Sequence, residues 1–228
     1  MTTSAVNQTH TSHREMAVAG IAFSVLMIIG LAIIRLALPD TQQTTDMVNA
    51  GFERALPFAL HIVPFAGIAF LWLLAVLRSR LGQIEDNFFP TVFLGSGLLF
   101  VASLFAAGAV AEAVLLNTAD SAHQVSSDVY YFAREASYSF LNVFAIKMAG
   151  VFTISTSITT LRTGFLPRWI AYLGFACALA LLLIISNWLW IAMLFPAWTM
   201  LVSVYILAAR RPISDRTILA TSGTPTNP

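Results

Sequence analysis

A chain of 228 residues with 58% hydrophobic side chains, only 10% charged ones and a mean hydropathy of +0.79 cannot cover a water-facing surface, for which about 25% charged residues are usual. Its net charge of +1 excludes a basic surface for nucleic acid, and its one cysteine, Cys177, excludes an intrachain disulfide, a CxxC redox pair and a thiolate cluster. Composition points to a polytopic protein whose partner is the lipid bilayer, and the length leaves room for one domain.

Residues 1–15 form a polar tail rich in Ser and Thr, without the cationic start and short apolar core of a signal peptide; the first helix is therefore expected to stay as an anchor. Six apolar stretches follow, near Met16–Leu38, Leu56–Leu77, Pro90–Leu116, Tyr130–Leu161, Pro167–Ile185 and Asn187–Ala208. They lack the alternation of barrel strands, and a span must satisfy its own backbone, so the expectation is an all-α bundle of six transmembrane helices over residues 16–208. Residues 209–228 form a second tail.

Basic residues in the short loops set the direction. Eight arginines fall on one side (Arg14, Arg78, Arg80, Arg162, Arg168, Arg210, Arg211 and Arg216). The other side holds Arg54 and Arg134, with Arg35 close to it. The positive-inside rule then predicts both termini in the cytoplasm, in a bacterial-type inner (plasma) membrane.

Between spans, Pro39–Ala55 has room for a short amphipathic surface helix, and Ser126 and Ser127 before Asp128 are positioned to start a helix above the membrane. Arg78, Arg80, Glu85 and Asp86 crowd one inner loop, where they read as a solvated ion cluster. Ser186 and Asn187 join the last two spans as a tight hairpin. Pro57 and Pro64 in span 2, and Pro196 in span 6, each free a carbonyl and predict a kink.

Ionisable groups inside the membrane cost about 3 kcal/mol each, which makes them the leads for function. They are Arg35, His61, Glu112 and Lys147, with Arg134 and Glu135 at the outer edge. Glu112 leans inward from span 3 and Lys147 leans outward from span 4, so a direct or water-bridged pair is expected. On span 4, Asn142, Thr153 and Thr160 fall within about 20° of one another at 100° per residue, a polar stripe that lines a water path or bonds to neighbouring helices. Lys147 is off that stripe. Gly97 and Gly108 share a face of span 3 with Glu112, as in close helix packing within the protomer, in a homo-oligomer or against a membrane partner.

No cofactor, metal or catalytic group is expected. The histidines are His10, His13, His61 and His123, and no span offers a pair for haem. No metal-ligand cluster or nucleophile–base set is apparent, and Gly95-Ser96-Gly97 lacks the Lys-Ser/Thr of a phosphate loop.

The segment Arg162-Thr-Gly-Phe-Leu-Pro167-Arg168-Trp169-Ile-Ala-Tyr-Leu-Gly174 resembles the LPRW…LG signature of uncharacterised bacterial six-helix membrane proteins. In it, Pro167 opens a helix, Arg168 stays inside and Trp169 anchors the interface. The resemblance implies a class and no mechanism. Three functions remain open: a channel- or transporter-like protein with a polar site in the outer half of helices 1–4, a non-catalytic membrane module, and an intramembrane enzyme.

Overall fold

The computed structural model describes residues 17–33, 50–81, 88–119, 127–164, 166–183 and 189–208, and they contain no strand. In chain order the helices are α1 (Ala17–Ile33), α2 (Ala50–Leu81), α3 (Phe88–Ala119), α4 (Ser127–Ser139), a π-helical segment (Phe140–Ala145), α5 (Ile146–Thr163), α6 (Arg168–Leu183), α7 (Leu189–Ala192) and α8 (Leu194–Ala208). Within them, Pro57–Arg78, Pro90–Ala113 and Tyr131–Thr163 are long and apolar enough to cross a membrane, while Ala17–Ile33, Arg168–Leu183 and Leu194–Ala208 are shorter apolar helices. The fold is thus all-helical, with six apolar helical stretches compatible with a membrane.

Several boundaries differ from the expectation, for local reasons. The fourth stretch is not a uniform α-helix. At the π segment the N–H of Ile146 bonds to the carbonyl of Leu141, five residues back, which accommodates one extra residue and turns α5 relative to α4. The sixth stretch breaks at Met193, between α7 and α8. Pro196 has no N–H, and its ring crowds the carbonyl of Ala192, so the break falls just before the proline. Part of the proposed surface helix, Ala50–Ala55, is instead continuous with α2. Ser127 opens α4 with Asp128 in its first turn, where a carboxylate meets the positive end of the helix dipole. α5 stops at Gly164, whose φ of 64° is left-handed and whose N–H returns to Thr160; a glycine closes a helix this way at no steric cost. The Ser186–Asn187 hairpin, the acidic half of the Arg78–Asp86 cluster and Arg35 lie outside the described residues.

The centre of the bundle is filled by phenylalanines. Phe70 of α2 lies 4.9 Å from Phe23 of α1, 4.9 Å from Phe100 of α3, 5.1 Å from Phe152 of α5 and 5.8 Å from Phe195 of α8, between ring centroids. Phe195 closes the set against Phe23, Phe100 and Phe152 at 5.7, 5.1 and 5.9 Å. These edge-on and tilted contacts suit the ring quadrupole, and each adds about 0.5–1.5 kcal/mol to the area it buries. Cavities around the knot are small: one of about 20 Å³ lies between Leu73, Phe152, Trp198 and Val202, and one of about 10 Å³ between Met27, Phe100, Ala149 and Phe195.

Glycines set the closest helix approaches. A side chain at Gly20 would strike Ser203, one at Gly67 would strike Phe105, and one at Gly174 would strike Ser157. α5 and α6 meet again at Gly150, where a Cβ would come within 2.9 Å of Leu182. Outside this core the surface is also apolar, with Phe58, Phe65, Trp72, Leu179 and Leu183 all exposed. A helix apolar on every side belongs in a core or in lipid.

Candidate functional site

The polar side chains sort into three places. The first is at one end of α2 and α3. His61 stands one turn after Pro57, and its Nδ1 is 2.7 Å from the Pro57 carbonyl. A carbonyl only accepts, so Nδ1 carries the proton there and Nε2 is left facing outward. Glu112 of α3 meets it, with Oε1 4.0 Å from Nε2 and side-chain exposures of 69% for His61 and 46% for Glu112. The pair lies on the outside of the bundle, in contact range but beyond hydrogen-bond length.

The second place is the far end of α6. Lys147 Nζ donates to the carbonyls of Leu181 and Leu182 at 3.0 and 2.7 Å. These carbonyls belong to the last described turn of α6, toward the negative end of its dipole, and a carbonyl oxygen has two lone pairs with which to accept. A lysine there supplies both the donors and the charge. The geometry fits the helix lengths: Lys147 is 16 residues before Thr163, and α6 is 16 residues long, so both ends stand ~24 Å from the Arg162–Arg168 turn.

The Glu112–Lys147 pair expected from the sequence is therefore not formed. Ser137 of α4 donates to the carbonyl of Ala107 at 2.8 Å, which sets the antiparallel register of α3 and α4. That register puts Glu112 level with a residue near 132, roughly 22 Å along the axis from Lys147. Leaning side chains cannot close such a gap. Lys147 is 17 residues from the start of the expected span at Tyr130, about 25 Å deep, while Glu112 is near the same outer boundary, so the tilt of the side chains is too small to join them.

The third place is the hydroxyl-rich α5. Thr153, Ser155, Thr156, Thr159 and Thr163 each donate to the carbonyl four residues earlier, at 2.8–3.0 Å. Thr199 and Ser203 of α8 do the same at 3.0 and 2.8 Å. Each hydroxyl thus satisfies its donor inside its own helix. Asn142 lies in the π segment, and its amide donates to Tyr138 at 3.2 Å. The π segment also separates Asn142 from Thr153 and Thr160, so a fixed 100° per residue does not hold across the stripe. Arg134 and Glu135, exposed on α4, are 4.0 Å apart, a surface pair worth little. Gly97 is buried where a Cβ would meet Leu74 at 2.8 Å, while one at Gly108 would make ordinary contact with Val63 at 3.5 Å.

Sequence reading missed the carbonyls that hold Lys147, and it had no signal for them, because backbone acceptors carry no residue signature. It also missed Ser157, which is fully buried with no hydrogen-bond partner for its hydroxyl. Among the described residues, no three His, Cys, Asp or Glu side chains gather as metal ligands.

Fold and site together define an all-helical apolar bundle with charged groups toward both of its ends and on its periphery, and Lys147 between α5 and α6. No known family, curated protein or solved structure matches the chain.

Proposed function

We propose that the chain is a six-span protein of a bacterial-type plasma membrane, with both ends in the cytoplasm, and that it works as a non-catalytic membrane module. Six apolar helical stretches and an apolar exterior support the spans. Orientation rests on the eight arginines of one side against three on the other.

The observation that carries the module reading is the phenylalanine knot, which joins α1, α2, α3, α5 and α8 across the middle of the bundle. A path for a solute needs polar groups around a wet opening. Here the middle is packed rings, five of the α5 hydroxyls bond within their own helix, and Glu112 and Lys147 are far apart. Such a bundle meets its partners, lipid or protein, at its surface.

The test is flux. Liposomes holding the purified chain should take up protons, small cations and small organic solutes no faster than empty liposomes. Solute flux above that background, lowered by Glu112→Gln or Lys147→Met, would establish a conduit and overturn the module.

A further inference from the structure

With a neutral imidazole and an ionised carboxylate, His61 and Glu112 present two acceptors and no donor. Glu112 is acceptor-only when ionised, and Nε2 of neutral His61 is an acceptor because Nδ1–H is committed to Pro57. No hydrogen bond reaches the Glu112 carboxylate from another described residue. The two acceptor atoms are 4.0 Å apart, a spacing that one ammonium nitrogen bridges with two slightly bent N–H donors of about 2.9 Å each. The complementary group is a cation with several N–H donors, which is a primary ammonium.

The setting indicates where that ammonium comes from. His61 is five residues inside the Leu56–Leu77 apolar run and Glu112 four residues inside Pro90–Leu116, so the pair sits within ~8 Å of the end of the apolar zone. That is just beneath the headgroups, where an ammonium head can reach down to it, and the pair faces sideways, out of the bundle. Beneath it, on the same faces by helical spacing, run Phe65 and Ile68 of α2 and Phe105 and Leu98 of α3, all exposed. An acceptor pair above an apolar track matches an amphiphile with an ammonium head.

We propose that His61 and Glu112 form a lateral site for a phospholipid carrying a primary ammonium, an ethanolamine-type lipid, with its acyl chain along the α2–α3 face. The proposal rests on the membrane-spanning reading. A quaternary choline head has the charge without the N–H donors, and so separates this site from simple attraction.

The full chain, in nanodiscs of equal ethanolamine-, choline- and glycerol-headed phospholipid, is examined for retained lipid by native mass spectrometry. Ethanolamine lipid should be retained over choline lipid by about tenfold, the worth of one charge-assisted hydrogen bond. Glu112→Gln and His61→Phe should bring the ratio close to one. Glu135→Gln, an exposed carboxylate on α4, should leave it unchanged. Equal retention of the two lipids by the unaltered chain overturns the site, whether or not the variants fold. So does a preference that survives Glu112→Gln, displacement by free ethanolamine alone, or Zn²⁺ binding through the two side chains without lipid preference. A chain that washes off membranes at alkaline pH would instead sink the membrane-spanning reading, which keeps the two failures apart.

Discussion

Replacing Lys147 by methionine tests whether a lysine ties α5 to the carbonyls of α6 inside the bundle. Methionine keeps the length of the stem and loses the two bonds from Nζ to Leu181 and Leu182. Hydrogen bonds inside membrane bundles have measured worths of about 0.6 to 1.7 kcal/mol each, because the separated helices also find partners. Two of them give roughly 1–3 kcal/mol, and the lost charge at the α6 terminus acts in the same direction. A second effect opposes this: a lysine costs about 3 kcal/mol to place in the membrane and methionine does not. That cost falls on the separated helices as well as the assembled bundle, so most of it cancels. The expected outcome is a net loss of about 1–3 kcal/mol, with Lys147→Arg close to the unaltered chain because it keeps both charge and donors. Reversible unfolding in mixed SDS micelles, followed through tryptophan fluorescence, measures it. Trp198 is a suitable reporter, since it is buried and its Nε1 lies 3.5 Å from the Ile170 carbonyl of α6. A methionine variant as stable as the unaltered chain, or an arginine variant as weak as the methionine one, would refute this tie between the helices.

Two more perturbations test the packing, and one tests the topology. Gly174→Ala drives a Cβ into Ser157 and to 3.1 Å from Trp198; overpacking of this kind costs about 1–3 kcal/mol. Ser157→Ala removes a hydroxyl that has no partner, so it should be nearly neutral alone and should recover part of the Gly174→Ala loss in the double variant, a coupling that the same unfolding assay reads. Phe70→Ala removes the ring that four others touch and should cost about 3–5 kcal/mol, seen as a lower midpoint or loss of the folded chain; a smaller loss than Phe144→Ala, an exposed ring, would contradict the central knot. With Cys177 replaced by alanine, a cysteine at His123 should label from outside intact cells and one at Ser222 only after permeabilisation. The reverse pattern would invert the proposed orientation.

Amino-acid sequence alone was enough for the broad outcome, and the reason is composition. So little charge cannot cover a protein in water, and a backbone in lipid has to bond within its own segment, so apolar runs of this length become helices. Pro196 marked where a helix would be disturbed, although the break fell three residues before it, where the ring presses on a carbonyl, whereas α2 runs unbroken through Pro57 and Pro64. Gly97 stood out as small on one face of α3, and α3 does bring it against Leu74 of α2.

The pairing of the charges was decided only by the tertiary structure. Which residues lie level depends on the register between helices, and here Ser137 on Ala107 and the π segment at Phe140–Ala145 set that register. Neither has a signature at 100° per residue. Glu112 consequently meets His61 instead of Lys147, and Lys147 meets the carbonyls of Leu181 and Leu182 on the neighbouring helix. Backbone acceptors belong to every residue alike, so which of them a cation reaches follows from how the helices lie beside one another in space.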